Sequence, residues 1–155
     1  MLFRSRMSVD LKAAIQASLT ESHQALGAFL GESSNLDAMQ RMVDGLVGCF
    51  RNGGKVLACG NGGSACDALH FAEECTGQFR KQRAALPVIP LLESSHLTCV
   101  SNDYGFDHVF SRGVEAYGKP GDLLLAISTS GNSKNVIKAV RSEEHTSELQ
   151  SHLNL

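Results

Sequence analysis

Cys59-Gly60-Asn61-Gly62-Gly63-Ser64-Ala65-Cys66-Asp67-Ala68-Leu69-His70-Phe71-Ala72-Glu73-Glu74 follows directly on the apolar run Lys55-Val56-Leu57-Ala58. The run is long enough for one buried strand, and the Gly-rich turn passes without proline into helical spacing, so strand, tight turn and helix are expected in that order. Gly60, Gly62 and Gly63 permit close backbone approach and positive φ. The helix would then open with bare N–H groups above the end of the strand, where anions bind well. Asp67, His70 and Glu74 stand at i, i+3 and i+7 and share one helical face. A solvated polar stripe is the plain alternative. Against it, Ala68, Leu69, Phe71, Ala72 and Cys75 surround the pair with small or apolar groups, so the polar side chains are expected to face a cavity.

Upstream, Leu11, Ile15, Leu19, Leu26 and Leu30 recur with helical spacing between Val9 and Leu30. A second helix is expected after Asn35 as N-cap, with Leu36, Met39, Val43, Leu46, Val47 and Phe50 on one face and Asn52-Gly53-Gly54 as its stop. Two amphipathic helices exceed what one face of a small sheet can cover, which points to a subunit interface for the segment 1–53.

Downstream, Phe79 to Ala85 reads as an exposed basic loop and Leu86 to Leu92 as a second strand, in which Pro90 requires an edge or an end. Ser94 or Ser95 is expected to cap a short helix that Asn102-Asp103-Tyr104-Gly105 breaks. Phe106 to Tyr117 should resume as a helix with Phe106, Val109, Phe110 and Val114 inward. Leu123-Leu124-Leu125-Ala126-Ile127 is an unbroken apolar run, the pattern of a parallel strand buried on both faces. It empties into Ser128-Thr129-Ser130-Gly131-Asn132-Ser133, and Val136, Ile137 and Val140 begin another helix. Strand, loop and helix thus recur along residues 54–140, giving an α/β fold with a parallel sheet and ligand sites at the carboxyl ends of its strands. Four hydroxyls, on Ser128, Thr129, Ser130 and Ser133, around one helix N-terminus suit a phosphate monoester better than an ordinary Ser/Thr turn.

The 155 residues are 43% hydrophobic and carry a formal net charge of −2, enough for one globular core and without a basic cluster for nucleic acid. No apolar run reaches the roughly 18 residues of a membrane span, and the first residues lack the apolar core of a signal peptide. Five cysteines are an odd, scattered set without a C-x-x-C pair, as expected of core thiols in a reducing cytoplasm.

The runs GNGGSACDALHFAEECTG (60–77), SNDYGFDHVFSR (101–112) and AISTSGNSKNVIKA (126–139) closely resemble, in that order, the sedoheptulose 7-phosphate isomerases, or phosphoheptose isomerases, of the sugar-isomerase (SIS) fold. The resemblance covers about residues 8 to 140. It implies ketose–aldose isomerisation of a phosphorylated seven-carbon sugar for lipopolysaccharide heptose precursors, in a cytoplasmic homotetramer. By the same resemblance, His70 and Glu74 are the catalytic and zinc-binding pair. Asn61, Gly62, Gly63, Ser64, Asp67, Asn102 and Asp103 contact substrate, and Ser128, Thr129, Ser130 and Ser133 hold its phosphate. The family completes its zinc site with a Gln and a His from a later helix. Gln78 departs from the family's usual Arg and Ala65 from a common His. Non-catalytic SIS relatives that bind the bacterial replication initiator, and SIS modules that sense sugar phosphates, share the fold; neither needs the His70/Glu74 pair.

Beyond Val140 the periodicity fades. Residues 141–155 match what a common short-read sequencing adapter encodes in one frame, so they are expected to be a non-native tail on a partial SIS domain, with the chain as given inactive.

Overall fold

The computed structural model describes residues 10–146. The chain divides into two compact units, Met1–Gln40 and Arg41–Leu155, with the division inside the second helix. Helix α1 (Leu11–Gly31) is capped by Asp10, whose carboxylate accepts hydrogen bonds from the N–H groups of Lys12 (3.1 Å) and Ala13 (3.2 Å). Its apolar stripe of Leu11, Ile15, Leu19, Leu26 and Leu30 is more than half exposed at every position. Helix α2 (Ser33–Arg51) starts earlier than expected, so Asn35 lies inside it and is not its cap. The Asn35 amide instead donates to the carbonyl of Phe29 (3.0 Å), satisfying an orphan acceptor at the end of α1. At the other end of α2, Gly53 adopts φ +77° in the expected Asn-Gly-Gly stop.

Strand β1 (Val56–Gly60) is followed by α3 (Gly63–Thr76), β2 (Val88–Pro90), α4 (Ser94–Tyr104), a 3₁₀ turn (Phe106–His108), α5 (Ser111–Tyr117), β3 (Leu123–Ile127) and α6 (Lys134–Thr146). The three strands make one parallel sheet in the order β2-β1-β3. The carboxyl ends of all the strands therefore share one edge, and the turn after β1 and the loop after β3 meet there. The chain places β2 on one side of β1 and β3 on the other, which is the switch in strand order beside which open α/β sheets bind ligands.

Every residue of β1 is buried, and the core divides along its two faces. Leu57 and Cys59 join Phe110, Val109, Val114, Val136 and Ala139 on one side; Val56 and Ala58 join Ala68, Ala72, Cys75 and Val88 on the other. Burial of β1 pushes the Cys59 thiol up to about 12, so it is a neutral packing group. Gly60 is required by α3: a Cβ there would stand 2.6 Å from the carbonyl oxygen of Ser64. Pro90 ends the edge strand β2, as its missing donor demands. Leu91 next to it donates to Ala58 (2.8 Å), so the donor position of Pro90 itself faces away from β1.

Further expectations need correction. Strand β3 is not buried throughout: Leu123 and Leu124 are, but Leu125, Ala126 and Ile127 are only half-buried, because β3 is the other edge strand. Helix α4 is capped by Glu93, not by Ser94 or Ser95; its carboxylate accepts from the N–H groups of Ser95 (3.0 Å) and His96 (2.7 Å) and from both serine hydroxyls. Those bonds, the Ser95 hydroxyl's first, lower the Glu93 pKa to about 2. Helix α4 also runs on through Asn102, Asp103 and Tyr104 before Gly105 (φ +88°) ends it, and Phe106 then points to solvent, 57% exposed. Residues 147–155 of the expected tail lie outside the described residues, while α6 continues past Val140 to Thr146.

At the amino ends of β1 and β3, Asp122 accepts from the Lys55 N–H (2.9 Å), the Lys119 N–H (2.8 Å) and the Lys55 ammonium. Burial works to raise the Asp122 pKa, but the bonds and charge of Lys55 with the Lys119 bond outweigh it and hold the carboxyl below its usual range. The native pKa lies below an unfolded value near ~3.9, so the carboxylate's contribution is complete above that value and fades as pH falls through the native one. Asp122→Ala should cost about 2–4 kcal/mol at neutral pH, because it strands an ammonium and two N–H groups. Urea unfolding of the wild type should weaken between about pH 5 and 3 by more than that of the variant; parallel pH profiles would remove Asp122 from the acid response.

Candidate active site

Gly62 (φ +55°) begins α3 without any side-chain cap, and the N–H groups of Ala65 and Cys66 close on its carbonyl at 3.1 and 3.2 Å. Gly62 and Gly63 are exposed at the sheet's carboxyl edge, while Ser64 is buried beneath them. Asn61 spans the gap to the neighbouring loop. Its amide donates to Asn135 Oδ1 and accepts from Asn135 Nδ2, both at 2.9 Å, and Asn135 is only 3% exposed. The same Asn135 Oδ1 accepts from the N–H of Val136 (3.0 Å), so one side chain ties the first turn of α6 to the turn after β1.

On the β3 side, Ser128 Oγ and Ser133 Oγ lie 3.4 Å apart, and Ser128 Oγ accepts from the N–H of Gly131 (3.2 Å). Ser130 Oγ accepts from the N–H of Asn132 (3.2 Å). Gly131 takes φ +65°, which lets the loop curl over its own hydroxyls. Thr129 and Ser130 are exposed at the rim. A loop held by its own serines, with a helix N-terminus beneath it, can present hydroxyl and N–H donors to a phosphate.

Further along α3, a cavity of about 520 Å³ is lined by Asp67, His70, Phe71, Glu74, Cys75, Phe79 and Arg83. Asp67, His70 and Glu74 do meet one space, although His70 and Leu69 are far more exposed than apolar flanks imply. His70 Nε2 stands 3.3 Å from Glu74 Oε1, and Glu74 is the better sheltered of the two, its side chain 32% exposed against 69%. An imidazole nitrogen and a carboxylate oxygen are donors that zinc takes, so the pair fits a metal. Arg83 lines the same cavity, and its guanidinium donates to the carbonyls of Cys75 (2.8 Å), Ala84 (2.9 Å) and Glu74. Arg83 thereby caps the C-terminus of α3 and fixes the backbone that carries Glu74. Burial raises the Cys75 pKa, with the charge of Arg83 opposing and that of Glu74 assisting, which leaves a neutral thiol in the wall.

Asn102 and Asp103 lie in the last turn of α4 and bond locally. Asp103 accepts from Asn102 Nδ2 (2.9 Å) and from Cys99 Sγ (3.5 Å), and the hydrogen bonds among the described residues do not join either residue to the turn after β1. Sequence reasoning passed over Asn135 and Arg83. Asn135 offered one signal, a polar residue one position before the apolar pattern of α6; Arg83 offered none beyond its place in a basic loop.

The sequence pattern of the SIS domain matches residues 22–146. The phosphoheptose isomerase of Yersinia pestis (strain Pestoides F) is 57% identical over 126 residues, covering 81% of this chain and 65% of its own length. That of Proteus mirabilis (strain HI4320) is 55% identical over 126 residues, covering 81% of this chain and 66% of its own. Among solved structures, phosphoheptose isomerase GmhA from Neisseria gonorrhoeae superposes with a TM-score of 0.80 at 43% identity, over 87% of this chain and 70% of that one. A phosphoheptose isomerase from Francisella tularensis gives 0.81 at 35% identity, over 88% and 71%. The chain spans 65% of the length of the first of these relatives. The chain belongs to the SIS-domain family, and these relatives within it are phosphoheptose isomerases.

Proposed function

We propose that the whole protein isomerises sedoheptulose 7-phosphate to a glycero-manno-heptose 7-phosphate in the cytoplasm, supplying heptose for lipopolysaccharide. The observation that carries this reading is the pairing of His70 with Glu74 in a cavity on the helix that rises from the Gly-rich turn. SIS proteins that bind a replication initiator or sense a sugar phosphate would need the fold but not this pair, so their reading is the weaker one.

In this reading the Ser128–Ser133 loop holds the phosphate, and Asn61 with the exposed backbone of Gly62 and Gly63 orients the sugar chain. Ser64 supports the turn from below. Isomerisation moves a proton between C1 and C2 through an enediol, which calls for a base at the carbon and charge stabilisation at the oxygen. The Glu74 Oε1 atom faces His70, whereas Oε2 makes no hydrogen bond among the described residues and is free to take and return the proton. His70 and Glu74 would hold a zinc ion, whose chemistry is to polarise the substrate oxygen as a Lewis acid. Asp67, on the same face, contacts a sugar hydroxyl, as do Asn102 and Asp103 from α4. The exposed leucine stripe of α1 supports a homotetramer, since five half-exposed large apolar side chains in a row mark an interaction surface.

Glu74→Gln in the intact protein should abolish turnover while phosphosugar binding stays within a few-fold; retained turnover in a sensitive coupled assay would remove Glu74 as the base. Ser130→Ala with Ser133→Ala should weaken phosphosugar binding by roughly 1–3 kcal/mol and leave an unphosphorylated heptose nearly unaffected. Equal losses for both ligands in calorimetry would make the loop purely structural. Leu19→Glu with Leu26→Glu should lower the mass seen by light scattering from tetramer to smaller species. An unchanged mass would take α1 out of the interface.

A further inference from the structure

Asn61 and Asn135 exchange two hydrogen bonds of 2.9 Å, amide nitrogen to amide oxygen in each direction. Taken alone, such a pair is degenerate: turning both amides over gives the same two bonds with nitrogen and oxygen swapped. A third bond removes the degeneracy. The helical ladder of α6 begins with Ile137 donating to the carbonyl of Ser133 (2.9 Å), so the N–H of Val136 lies in the first turn, where the helix supplies no acceptor. It donates to Asn135 Oδ1 (3.0 Å), and since a backbone N–H can only donate, that end of the Asn135 side chain is oxygen and the other is nitrogen. Asn135 is buried and engaged at both ends, so its amide has one orientation. That orientation passes to Asn61, whose Nδ2 must meet Asn135 Oδ1 and whose Oδ1 must meet Asn135 Nδ2.

We propose that Asn135 is a positioning residue that acts through Asn61, fixing which end of the Asn61 amide is donor and which is acceptor toward a sugar hydroxyl. The inference rests on the reading of Asn61 as a substrate contact and deepens it. A carboxamide has two N–H groups and two carbonyl lone pairs, and the pairing with Asn135 takes one of each. The remaining N–H and lone pair belong to a half-buried side chain in the turn after β1, directly before the exposed backbone of Gly62 and Gly63. A hydroxyl both donates and accepts, so it matches that remainder; a phosphate dianion, which only accepts, does not. The phosphate is left to the Ser128–Ser133 loop. Asn135 stands two residues beyond Ser133, so one buried side chain sets the Asn61 amide against the helix start that the serine loop leads into. Without Asn135 the Asn61 amide is free to turn over, which misplaces the sugar chain while the serine loop keeps its own hydrogen bonds.

The test is steady-state isomerisation of sedoheptulose 7-phosphate by the intact protein, with inhibition by inorganic phosphate as the report on the serine loop. Wild type, Asn61→Ala, Asn135→Ala, Asn135→Asp and the double variant Asn61→Ala with Asn135→Ala are compared, each checked for unchanged thermal unfolding. Asn135→Asp keeps the volume and the acceptor for Val136 but removes the donor to Asn61, so it carries the test even where the alanine variant unfolds. A small misplacement of substrate can cost about 100-fold in rate, so kcat is expected to fall about 10–100-fold in Asn61→Ala and in both Asn135 variants, with inhibition by phosphate changed less than about threefold. The double variant should be no slower than Asn61→Ala alone, because residues that act as one unit are not additive. Losses that multiply in the double variant, phosphate affinity that falls in step with kcat, or Asn135→Asp at the wild-type kcat would each overturn the inference while the isomerase reading stands. A wild type without turnover would overturn the isomerase reading, and Asn61→Ala at full turnover would remove Asn61 from the substrate site; the inference falls with either.

Discussion

Strand β1 cannot be exposed anywhere along its length, and the remainder of the larger unit is arranged to keep it so. Its neighbours are parallel strands on both sides, and its faces meet different halves of the core. Each end is pinned to the β3 side by polar groups. At the amino end Lys55 and Asp122 form a charged pair that also takes up two backbone N–H groups; at the carboxyl end Asn61 and Asn135 exchange amide hydrogen bonds. Neither clamp adds much net stability, since a hydrogen bond contributes about 0.5–1.5 kcal/mol after water is accounted for. Their value is registration. Leaving one partner unpaired in a half-buried site is costly, so a slipped pairing of β1 and β3 is excluded.

That registration decides which loops meet. The turn after β1 and the loop after β3 project from the same edge because both strands run in one direction, and Asn135 holds them together from inside the fold. The rim above is left to exposed glycine backbone and serine hydroxyls, groups that bind oxygen-rich ligands without a bulky side chain. The His70–Glu74 pair lies elsewhere, two turns along α3, which is about 10 Å from the helix start at 1.5 Å per residue.

The parts of the sequence that could be read were those whose physics is local. Glycines before a helical pattern, a hydroxyl cluster after an apolar run, and His70 with Glu74 one turn apart each carry their meaning within a few residues. What could not be read depended on partners distant along the chain or on competition between neighbours. Asn135 matters because Asn61 meets it across 74 positions, and nothing near Asn135 announces that. Glu93 displaced two serines as the cap of α4 because a carboxylate accepts several N–H and O–H bonds at once, whereas each serine offers one short hydroxyl. The half-burial of β3 reflects its position at the edge of the sheet, which an apolar run of five residues does not reveal.

The two edges of the sheet are unlike each other, and the difference gives the sheet a direction of growth. Strand β2 is three residues long and ends on Pro90, whose donor position faces outward and is empty of an N–H, so that side is closed to a further strand. Strand β3 is five residues of leucine, alanine and isoleucine, half-buried, and among the described residues it pairs with β1 alone. Extension of the sheet, by later sequence in the same polypeptide or by a stray chain in an aggregate, is therefore channelled to one flank, and proline acts as the stopper on the other.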